Sequence, residues 1–484
     1  MSRGLRLGSL YAAIARDLSR DHRVVALIDE AERSIWADVP GVDALTLREA
    51  AAGENWPAPQ ERTAFVARVE AETGLRAYQA ARNYLLYGRL HSELFGWRDR
   101  PWLWQDESAI FDDYILAYLA LRKLIATYNP ALVLLEAPDH IYASLAQAMA
   151  AKRDILCLGL YFAPLAGSCS MFLYTGFQPQ NVMLRYYYDH PDEIPDAARA
   201  KAVEMLGSVR SAGPPAIDYV TKMSSRSQAI FRPLVRKGIA AVLTAEGRKR
   251  LAPGALRRRF ATLRDELWLR ANLRTDVPDG KFALYFMQHQ PEASVATQAP
   301  HLVDQARVVE QLAVNAPAGW RIVVKEHPRT YPTRGREYYR PLLDLPNVHL
   351  CRPSVSSRML LERAEVVVAL TGSVGMEALF TGKKVAVVGR PYYAFFPSVL
   401  KLDRAGDLFD AIEALEAADI DGPELKRFAA AYYASVFDLG ELDEDGIWPK
   451  PVEGGANIAA ALRRHLALID RGVLGGNTYP VRQR

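Results

Sequence analysis

Runs of apolar residues that end in short polar turns are the most regular feature of this chain. In the second half these runs are "KFALYFMQHQ", "WRIVVKEHP", "NVHLC", "EVVVALTGS" and "KKVAVVG", and helical patterns cover "DQARVVEQLAVNA" and "SSRMLLERA". The apolar runs are continuous rather than alternating, which is typical of parallel strands covered by helices on both faces. The pattern therefore predicts an α/β domain built on a doubly wound parallel sheet.

The first half contains a similar unit. The stretch "PALVLLEAPDHIYASLAQAMAAKRDILCLGL" has the pattern of strand, polar turn, helix and strand, which predicts two parallel strands. A helix over "GSLYAAIARDLSRD" precedes the strand "RVVALID", and residues 60–128 show the periodicity of long helices. The two halves therefore predict two doubly wound α/β domains.

The chain is long enough for two hydrophobic cores. It has 484 residues, of which 50% are hydrophobic and 24% are charged, so it is also too apolar for disorder. We predict a first α/β domain over 1–207, a basic helical connector over 208–279, a second α/β domain over 280–450, and a closing helix and tail over 451–484.

The spacing of the cysteines and the lack of a long apolar run favour a cytoplasmic protein. The three cysteines are widely spaced, which argues against a disulfide framework and against a clustered zinc site. The start lacks the apolar core and cleavage site of a secretion signal, and no window approaches eighteen uninterrupted apolar residues. We therefore expect a reducing, cytoplasmic location.

The net charge of +4 is unevenly distributed. Between Lys222 and Arg274 there are 14 Lys or Arg and three acids, and we call this stretch the basic segment. Apolar residues recur at helical spacing between its cations, so it is either a solvated helical connector or a surface that rests on anionic lipid at the inner membrane. Nucleic acid is not expected as a partner, because no recognisable DNA or RNA module accompanies the charge.

Polar residues cluster where predicted strands end, which is where ligands bind in open parallel sheets. The turn "TGSVGME" follows one strand and opens a helix, and its candidate binding residues are Thr371, Gly372, Ser373, Gly375 and Glu377. Glycine lets a ligand approach the backbone, and hydroxyls beside free N–H groups favour phosphate. The alternative is a capped helix whose glycines serve packing. Neither the Walker A nor the GxGxxG pattern is present.

A second cluster, Lys325, Glu326, His327 and Pro328, ends another strand of the same half. His327 can hydrogen-bond a phosphate or a ribose, Lys325 adds positive charge, and Pro328 fixes the turn. An ordinary strand end with a satisfied histidine is the alternative. Together the two clusters outline one pocket for a phosphate-bearing group.

The stretch "QHQPE" opens the second half with further polar groups, from which we select Gln288, Gln290 and Glu292 as substrate-binding candidates. In isolation this cluster is a weak signal, because amides and a carboxylate are common at turns.

The first half has one comparable cluster, "EAPDH", at the end of a strand facing the expected cleft. A general base must be a carboxylate or histidine within reach of the acceptor hydroxyl. We therefore expect Asp139 to be the base, ahead of Glu136 and then His140. The alternative role for Asp139 is a helix N-cap.

The motifs together resemble a known family. In order and spacing, "QPEAS", "DQ", "VVKEHP", "PNVHL" and "TGSVGMEALFTGKKVAVVGRPYY" are similar to bacterial capsule and surface polysaccharide biosynthesis proteins related to Kdo-transferase-like glycosyltransferases. The resemblance covers residues 280–400 well and the first half loosely. It implies a GT-B fold, in which two Rossmann-like domains face each other across a cleft. The second domain then holds the nucleotide sugar and the first holds the acceptor.

The resemblance also implies roles for individual residues. In related transferases that use CMP-activated acidic sugars, the HP motif and a Ser/Thr turn hold the nucleotide and its phosphate. By this resemblance, the residues that hold the nucleotide and its phosphate here are His327, Pro328, Thr371, Gly372 and Ser373. Lys325 and Glu377 would lie next to them. No convincing DxD-like metal motif is present, so cations and helix-end N–H groups are expected to stabilise the leaving phosphate without a metal or other cofactor.

The implied activity is transfer of Kdo or another acidic sugar from a CMP donor to a glycan or lipid-linked acceptor in capsule or lipopolysaccharide synthesis. Three alternatives remain open: a UDP- or GDP-sugar donor, transfer of a polyol phosphate from a CDP donor, and a non-catalytic scaffold for polysaccharide export. The longer tail and second catalytic histidine of polyol phosphate polymerases are not evident here.

Overall fold

A computed structural model describes residues 5–82, 107–135, 137–138, 140–163, 169–174, 179–212, 253–290, 293–327, 330, 334–412, 415, 422–441, 450–472 and 474. The elements of the first half are α1 (Leu5–Leu18), β1 (Val24–Leu27), α2 (Arg33–Trp36), β2 (Val42–Leu45), α3 (Leu47–Ala50), α4 (Arg62–Thr73), α5 (Ala77–Ala80), α6 (Glu107–Tyr128), β3 (Leu132–Leu135), α7 (Ile141–Lys152), β4 (Leu156–Phe162), β5 (Cys169–Tyr174), α8 (Val182–Asp189) and α9 (Asp196–Ala212).

The elements of the second half follow in the same way. They are α10 (Pro253–Asn272), β6 (Phe282–Phe286), α11 (Ala293–Ala296), α12 (Gln305–Asn315), β7 (Arg321–Lys325), α13 (Arg336–Leu343), β8 (Val348–Cys351), α14 (Ser357–Arg363), β9 (Val366–Ala369), α15 (Val374–Phe380), β10 (Lys384–Val387), β11 (Val399–Lys401), α16 (Pro423–Ser435), β12 (Phe437–Asp438) and α17 (Pro451–Asp470).

The second half contains a six-stranded sheet with the order β11-β10-β9-β6-β7-β8. Every neighbouring pair in this sheet is parallel. The chain runs outward from β6 through β7 to β8, returns to β9 on the other side of β6, and continues outward. This doubly wound order puts a switch point between β6 and β9, and the carboxyl ends of the strands at such a point are where doubly wound sheets bind their ligands.

Both faces of this sheet are buried, as the continuous apolar runs predict. Phe282 and Leu284 of β6 pack into one core, whereas Ala283 and Tyr285 pack into the other. Neighbouring residues of a strand point to opposite faces, so a strand buried on both sides must be apolar throughout.

In the first half, β3 and β4 are parallel and α7 connects them, as predicted from the sequence. The sheet continues as β12-β5-β4-β3, and β5 is antiparallel to both β4 and β12. Only residues 163–168 separate β4 from β5, which is too short for the crossover that a parallel pair requires. Strands β1 and β2 form a separate parallel pair. The α/β fold class with parallel units in both halves, as expected for a GT-B-like protein, is confirmed.

One expected long helix is interrupted. The periodicity of residues 64–90 predicts a continuous helix, but α4 ends at Thr73 and is capped by Gly74, whose φ is +72°. Ala77 N–H then donates to the Glu70 carboxylate at 2.8 Å and opens α5. Glycine adopts this left-handed conformation at no steric cost, so it ends the helix despite the favourable pattern.

The chain returns to its first half at the end. α16, which lies within the segment assigned to the second domain, packs on α8 and α9, and β12 joins the sheet of the first half. α17 then packs along α1 so closely that a Cβ on Gly455 would lie 2.5 Å from the Cβ of Ala13.

Within the described ranges, no helix is both long and apolar enough to cross a membrane.

Of the basic segment, the structure describes helix α10 and the residues that follow it. Leu269 and Leu273 are buried in the core of the second half, whereas Leu267 is 59% exposed. This end of the basic segment is therefore anchored to the second half. Residues 222–252, and the side chains up to residue 262, lie outside the described residues.

Candidate functional site

The switch point between β6 and β9 brings two of the predicted clusters into contact. Gln288 follows β6, Thr371 follows β9, and Thr371 Oγ1 lies 3.1 Å from the Gln288 amide. In the amide orientation that satisfies both residues, the Gln288 oxygen accepts from the N–H groups of Thr371 at 3.0 Å and Gly372 at 2.5 Å. The Thr371 hydroxyl donates to the Ser294 carbonyl at 2.5 Å. The ends of β6 and β9 are thus joined by a connected set of hydrogen-bonded polar groups.

The glycines of the TGSVG turn permit close packing. A Cβ on Gly372 would lie 2.7 Å from the Gln288 side-chain amide, and one on Gly375 would lie 2.3 Å from the Tyr393 hydroxyl. That hydroxyl donates to the Gly372 carbonyl at 2.6 Å. The packing role that the sequence left open is therefore present in the structure, and the phosphate-binding role of this turn stays a prediction.

Ser373 and Glu377 form a local pair behind this turn. Ser373 Oγ donates to Glu377 Oε1 at 3.1 Å. Burial raises the pKa of the Glu377 carboxyl, and the hydrogen bond from Ser373 partly opposes this effect. Ser373 and Glu377 are thus bonded to each other at the start of α15.

Glu326 points into the protein. Its carboxylate accepts from Arg334 Nη1 at 2.6 Å, from the Tyr339 hydroxyl at 2.5 Å and from the His327 N–H at 2.6 Å. The Glu326 side chain is 0% exposed and that of Arg334 is 7% exposed. Glu326 therefore ties the end of β7 to Arg334 and to Tyr339 of α13.

Arg334 is a site residue that the sequence interpretation missed. Its Nη2 donates to the Gln288 carbonyl at 2.8 Å and to Gln290 Oε1 at 3.0 Å, while Gln290 Nε2 donates to the Val303 carbonyl at 2.6 Å. Arg334 thus joins the ends of β6 and β7. Glu326 at the end of β7 was the sequence signal for Arg334, because a buried glutamate needs a cationic partner.

Two imidazoles lie side by side at the same edge of the sheet. The ring centroids of His289 and His327 are 5.4 Å apart. His289 is buried, and its Nδ1 lies 2.9 Å from Thr330 Oγ1. His327 is only partly buried, so the more accessible ring is the one that the sequence proposes for nucleotide contact.

Lys325 lies on the β8 side of the crevice. Its ammonium group donates to Ser357 Oγ at 2.5 Å, and the residue is only 7% exposed. Burial lowers the pKa of Lys325 to about 8. The structure therefore places this cation beside the start of α14, and its described contacts do not include the TGSVG turn.

In the first half, the turn between β3 and α7 faces the second half. The Pro138 carbonyl accepts from Ser144 Oγ at 2.9 Å and from Thr297 Oγ1 at 3.4 Å. His140 is buried just before α7, with its ring 5.3 Å from that of Tyr142. The candidates Glu136, Asp139, Glu292 and Pro328 lie outside the described residues.

A second contact between the halves lies nearby. Arg82 Nη1 donates to the Ala296 carbonyl at 2.8 Å, and Ala296 is the last residue of α11, which also contains Ser294.

In the part of the chain that the structure describes, no three His, Cys, Asp or Glu side chains are grouped closely enough to hold a metal ion.

Comparison with known proteins bears on this site directly. Residues 249–397 match the family of capsule polysaccharide biosynthesis proteins. The resemblance stated from the motifs is confirmed for that segment, which includes both sides of the β6–β9 switch point. No curated protein matches the chain significantly.

Solved structures with some similarity include two of KpsC from Thermosulfurimonas dismutans. Its β-Kdo 2,7-transferase is 16% identical with a TM-score of 0.33, covering 70% of this chain and 88% of that chain. Its β-Kdo 2,4-transferase is 16% identical with a TM-score of 0.33, covering 68% and 86%. UDP-GlcNAc 2-epimerase from Neisseria meningitidis is 12% identical with a TM-score of 0.22, covering 94% and 96%. These TM-scores are too low to define the fold or the activity of this chain.

Proposed function

We propose that this protein is a glycosyltransferase of bacterial capsule polysaccharide biosynthesis, transferring Kdo or another acidic sugar from a CMP-linked donor to a glycan or lipid-linked acceptor. The observation that carries the proposal is the β6–β9 switch point, which lies inside the segment that matches the capsule family and brings Gln288 to Thr371. In doubly wound sheets such a switch point is the usual ligand crevice.

In this proposal the second half binds the donor. His327 hydrogen-bonds the phosphate or ribose beside His289, and Arg334 fixes the turns that position them. Thr371, Gly372 and Ser373 line the opposite side, and phosphate competes with the Gln288 amide for the N–H groups of this turn. Lys325 contributes positive charge from the β8 side. Together these groups favour a ligand that carries a phosphate.

The transfer step takes place between the two halves. A base on the β3–α7 turn removes the proton of the acceptor hydroxyl, whose oxygen bonds to the anomeric carbon of the donor. The bond from that carbon to the phosphate oxygen breaks, and CMP leaves with the electron pair. We propose Asp139 as the base, ahead of Glu136 and His140.

The base assignment is tested with Asp139→Asn. We expect a loss of transfer of roughly a hundredfold or more with CMP affinity kept, because general base catalysis contributes about 10²–10⁴ in rate. An Asp139→Asn protein with the full transfer rate would remove the assignment.

Metal independence is part of the proposal. Positive side chains and backbone N–H groups supply the stabilisation that a cation provides in other transferases. Transfer measured with and without EDTA is expected to proceed at the same rate. Abolition by EDTA and recovery with Mg²⁺ or Mn²⁺ would contradict this part alone.

The donor is tested by calorimetric titration of the purified protein with CMP, CDP, UDP and GDP. We expect CMP to bind best and His327→Ala to weaken it by roughly tenfold, as for loss of a hydrogen bond to a charged group. Preference for UDP or GDP would change the donor but keep the transferase. Absence of binding by all four nucleotides would favour a non-catalytic scaffold.

A further inference from the structure

A cavity of about 400 Å³ lies apart from the β6–β9 crevice. Its walls are the end of α4, the short helix α5 and one face of α7, and Thr297 of the second half closes one side. The same Thr297 contacts Pro138 on the β3–α7 turn. The cavity therefore adjoins the turn that carries the proposed base, and its volume is in the range of about 300–1,000 Å³ typical of small-molecule sites.

Two cations line this cavity. They are Arg82 and Lys152. Within the described ranges, neither Arg82 nor Lys152 forms an ion pair with a carboxylate. Arg82 instead donates to the backbone carbonyl of Ala296 at 2.8 Å. Arg82 is half-buried, so its charge is only partly solvated. A guanidinium group has five N–H donors, and one carbonyl leaves most of them available to a ligand.

The remaining polar groups suit a carbohydrate. Gln79 and Gln147 line the cavity and are half-buried, and neither side chain hydrogen-bonds a described residue. Ser144 adds a hydroxyl that donates to Pro138 and can still accept. Amides donate and accept at once, which matches the hydroxyl groups of a sugar.

We propose that this cavity binds a carboxylate-bearing sugar unit of the acceptor. Arg82 and Lys152 pair with the carboxylate, and Gln79 and Gln147 bind ring hydroxyls. This inference rests on the proposed function, because it assigns the acceptor to a site beside the proposed base. The described lining contains no aromatic side chain on which a nucleotide base would stack, so the donor nucleotide belongs to the crevice of the second half.

The test compares two ligands that differ only in the carboxylate. Methyl glucuronide and methyl glucoside are added at millimolar concentration to the full-length protein, and saturation transfer from protein to ligand is measured by NMR. We expect transfer to the glucuronide and much less to the glucoside. Equal transfer to both ligands, or none to the glucuronide, would overturn the proposal.

Variants locate the binding. Arg82→Gln and Lys152→Gln are each expected to weaken glucuronide binding by roughly tenfold, since each loses a hydrogen bond from a charged group. Because Arg82 also contacts Ala296, Lys152→Gln is the cleaner change. Lys201→Gln is the matched control, since Lys201 is an exposed helical lysine on α9 outside the cavity. Unchanged binding by both cavity variants would place the site elsewhere.

CMP titration of the same proteins separates this inference from the proposed function. The cavity variants should bind CMP like the unmodified protein. Loss of glucuronide binding with intact CMP binding supports the acceptor site. Failure of the unmodified protein to bind CMP would contradict the donor assignment, while the glucuronide result still decides whether the cavity takes an acidic sugar.

Discussion

Glu326 and Arg334 form a buried ion pair, with Oε2 and Nη1 2.6 Å apart. Their side chains are 0% and 7% exposed, and the pair lies directly behind the turns that end β6 and β7. Removing two charges from water is costly, and only further hydrogen bonds make such a pair tolerable. Here Tyr339, the His327 N–H and the Gln288 carbonyl supply them.

Breaking this pair should destabilise the protein strongly. We expect Arg334→Met to lower the free energy of unfolding by about 3–5 kcal/mol, because it leaves an uncompensated buried carboxylate. Urea unfolding measures the effect. Arg307→Met is the control, since Arg307 and Glu310 are also 2.6 Å apart but 72% and 30% exposed, and such pairs contribute about 1 kcal/mol or less. A similar small effect for both variants would contradict the buried role of Arg334.

Two glycine-to-alanine changes should have opposite effects on stability. Gly375→Ala puts a Cβ 2.3 Å from the Tyr393 hydroxyl, so we expect a loss of about 1–3 kcal/mol from overpacking. Gly207 lies inside α9 with nothing within 4 Å of the added atom. Gly207→Ala should therefore gain about 0.5–1 kcal/mol from helix propensity. Thermal unfolding of both variants checks the signs, and equal shifts would refute the packing argument.

His465 should make the protein less stable in mild acid. It lies on α17, and its Nε2 is 2.9 Å from the Tyr174 hydroxyl of β5. Burial lowers the pKa of His465 to about 4, from 6.5 when exposed. Between these values the unfolded chain binds the extra proton and the folded chain does not, so stability falls as pH drops from about 6.5 to about 4.

The measurement is urea unfolding at several pH values across this range, compared with His465→Gln. The variant should lose part of the pH dependence, because glutamine does not titrate. A variant that keeps the full slope between pH 6.5 and 4 would assign the effect to other groups.

Lys325 should make nucleotide binding pH-dependent in the alkaline range. Burial lowers the pKa of Lys325 to about 8, so its positive charge is lost as pH rises through that value. CMP affinity measured by calorimetry should fall by up to roughly tenfold between pH 7 and 9, as for loss of a hydrogen bond from a charged group. Lys325→Arg keeps its charge throughout and should remove this dependence. If CMP affinity had the same pH profile in both proteins, Lys325 would have no part in donor binding.

The basic segment should bring the protein to anionic lipid. Reversing the charges of Arg257, Arg258 and Arg259 to glutamate is expected to reduce sedimentation with phosphatidylglycerol vesicles, because each cation near such a surface contributes about 1 kcal/mol. Lys201→Glu on α9 serves as the control for a charge reversal elsewhere. Unchanged sedimentation of the triple variant would favour a solvated connector.

The sequence by itself determined the local elements and the positions of the polar clusters. Continuous apolar runs predicted β6, β7 and β9 because a strand buried on both faces must be apolar, and the βαβ pattern predicted that β3 and β4 are parallel. The polar residues after those strands marked the sheet edge where ligands bind. Each of these inferences uses neighbours in the chain, whose spacing is fixed by covalent geometry.

Only the tertiary structure decided which of these groups meet. Gln288 reaches Thr371 because β9 returns beside β6, and Arg334 becomes a site residue because it pairs with Glu326 and donates to the Gln288 carbonyl. The packing of α17 on α1 likewise joins opposite ends of the chain. Such contacts arise from side-chain packing between segments far apart in sequence, and neither periodicity nor composition records which distant segments pack together.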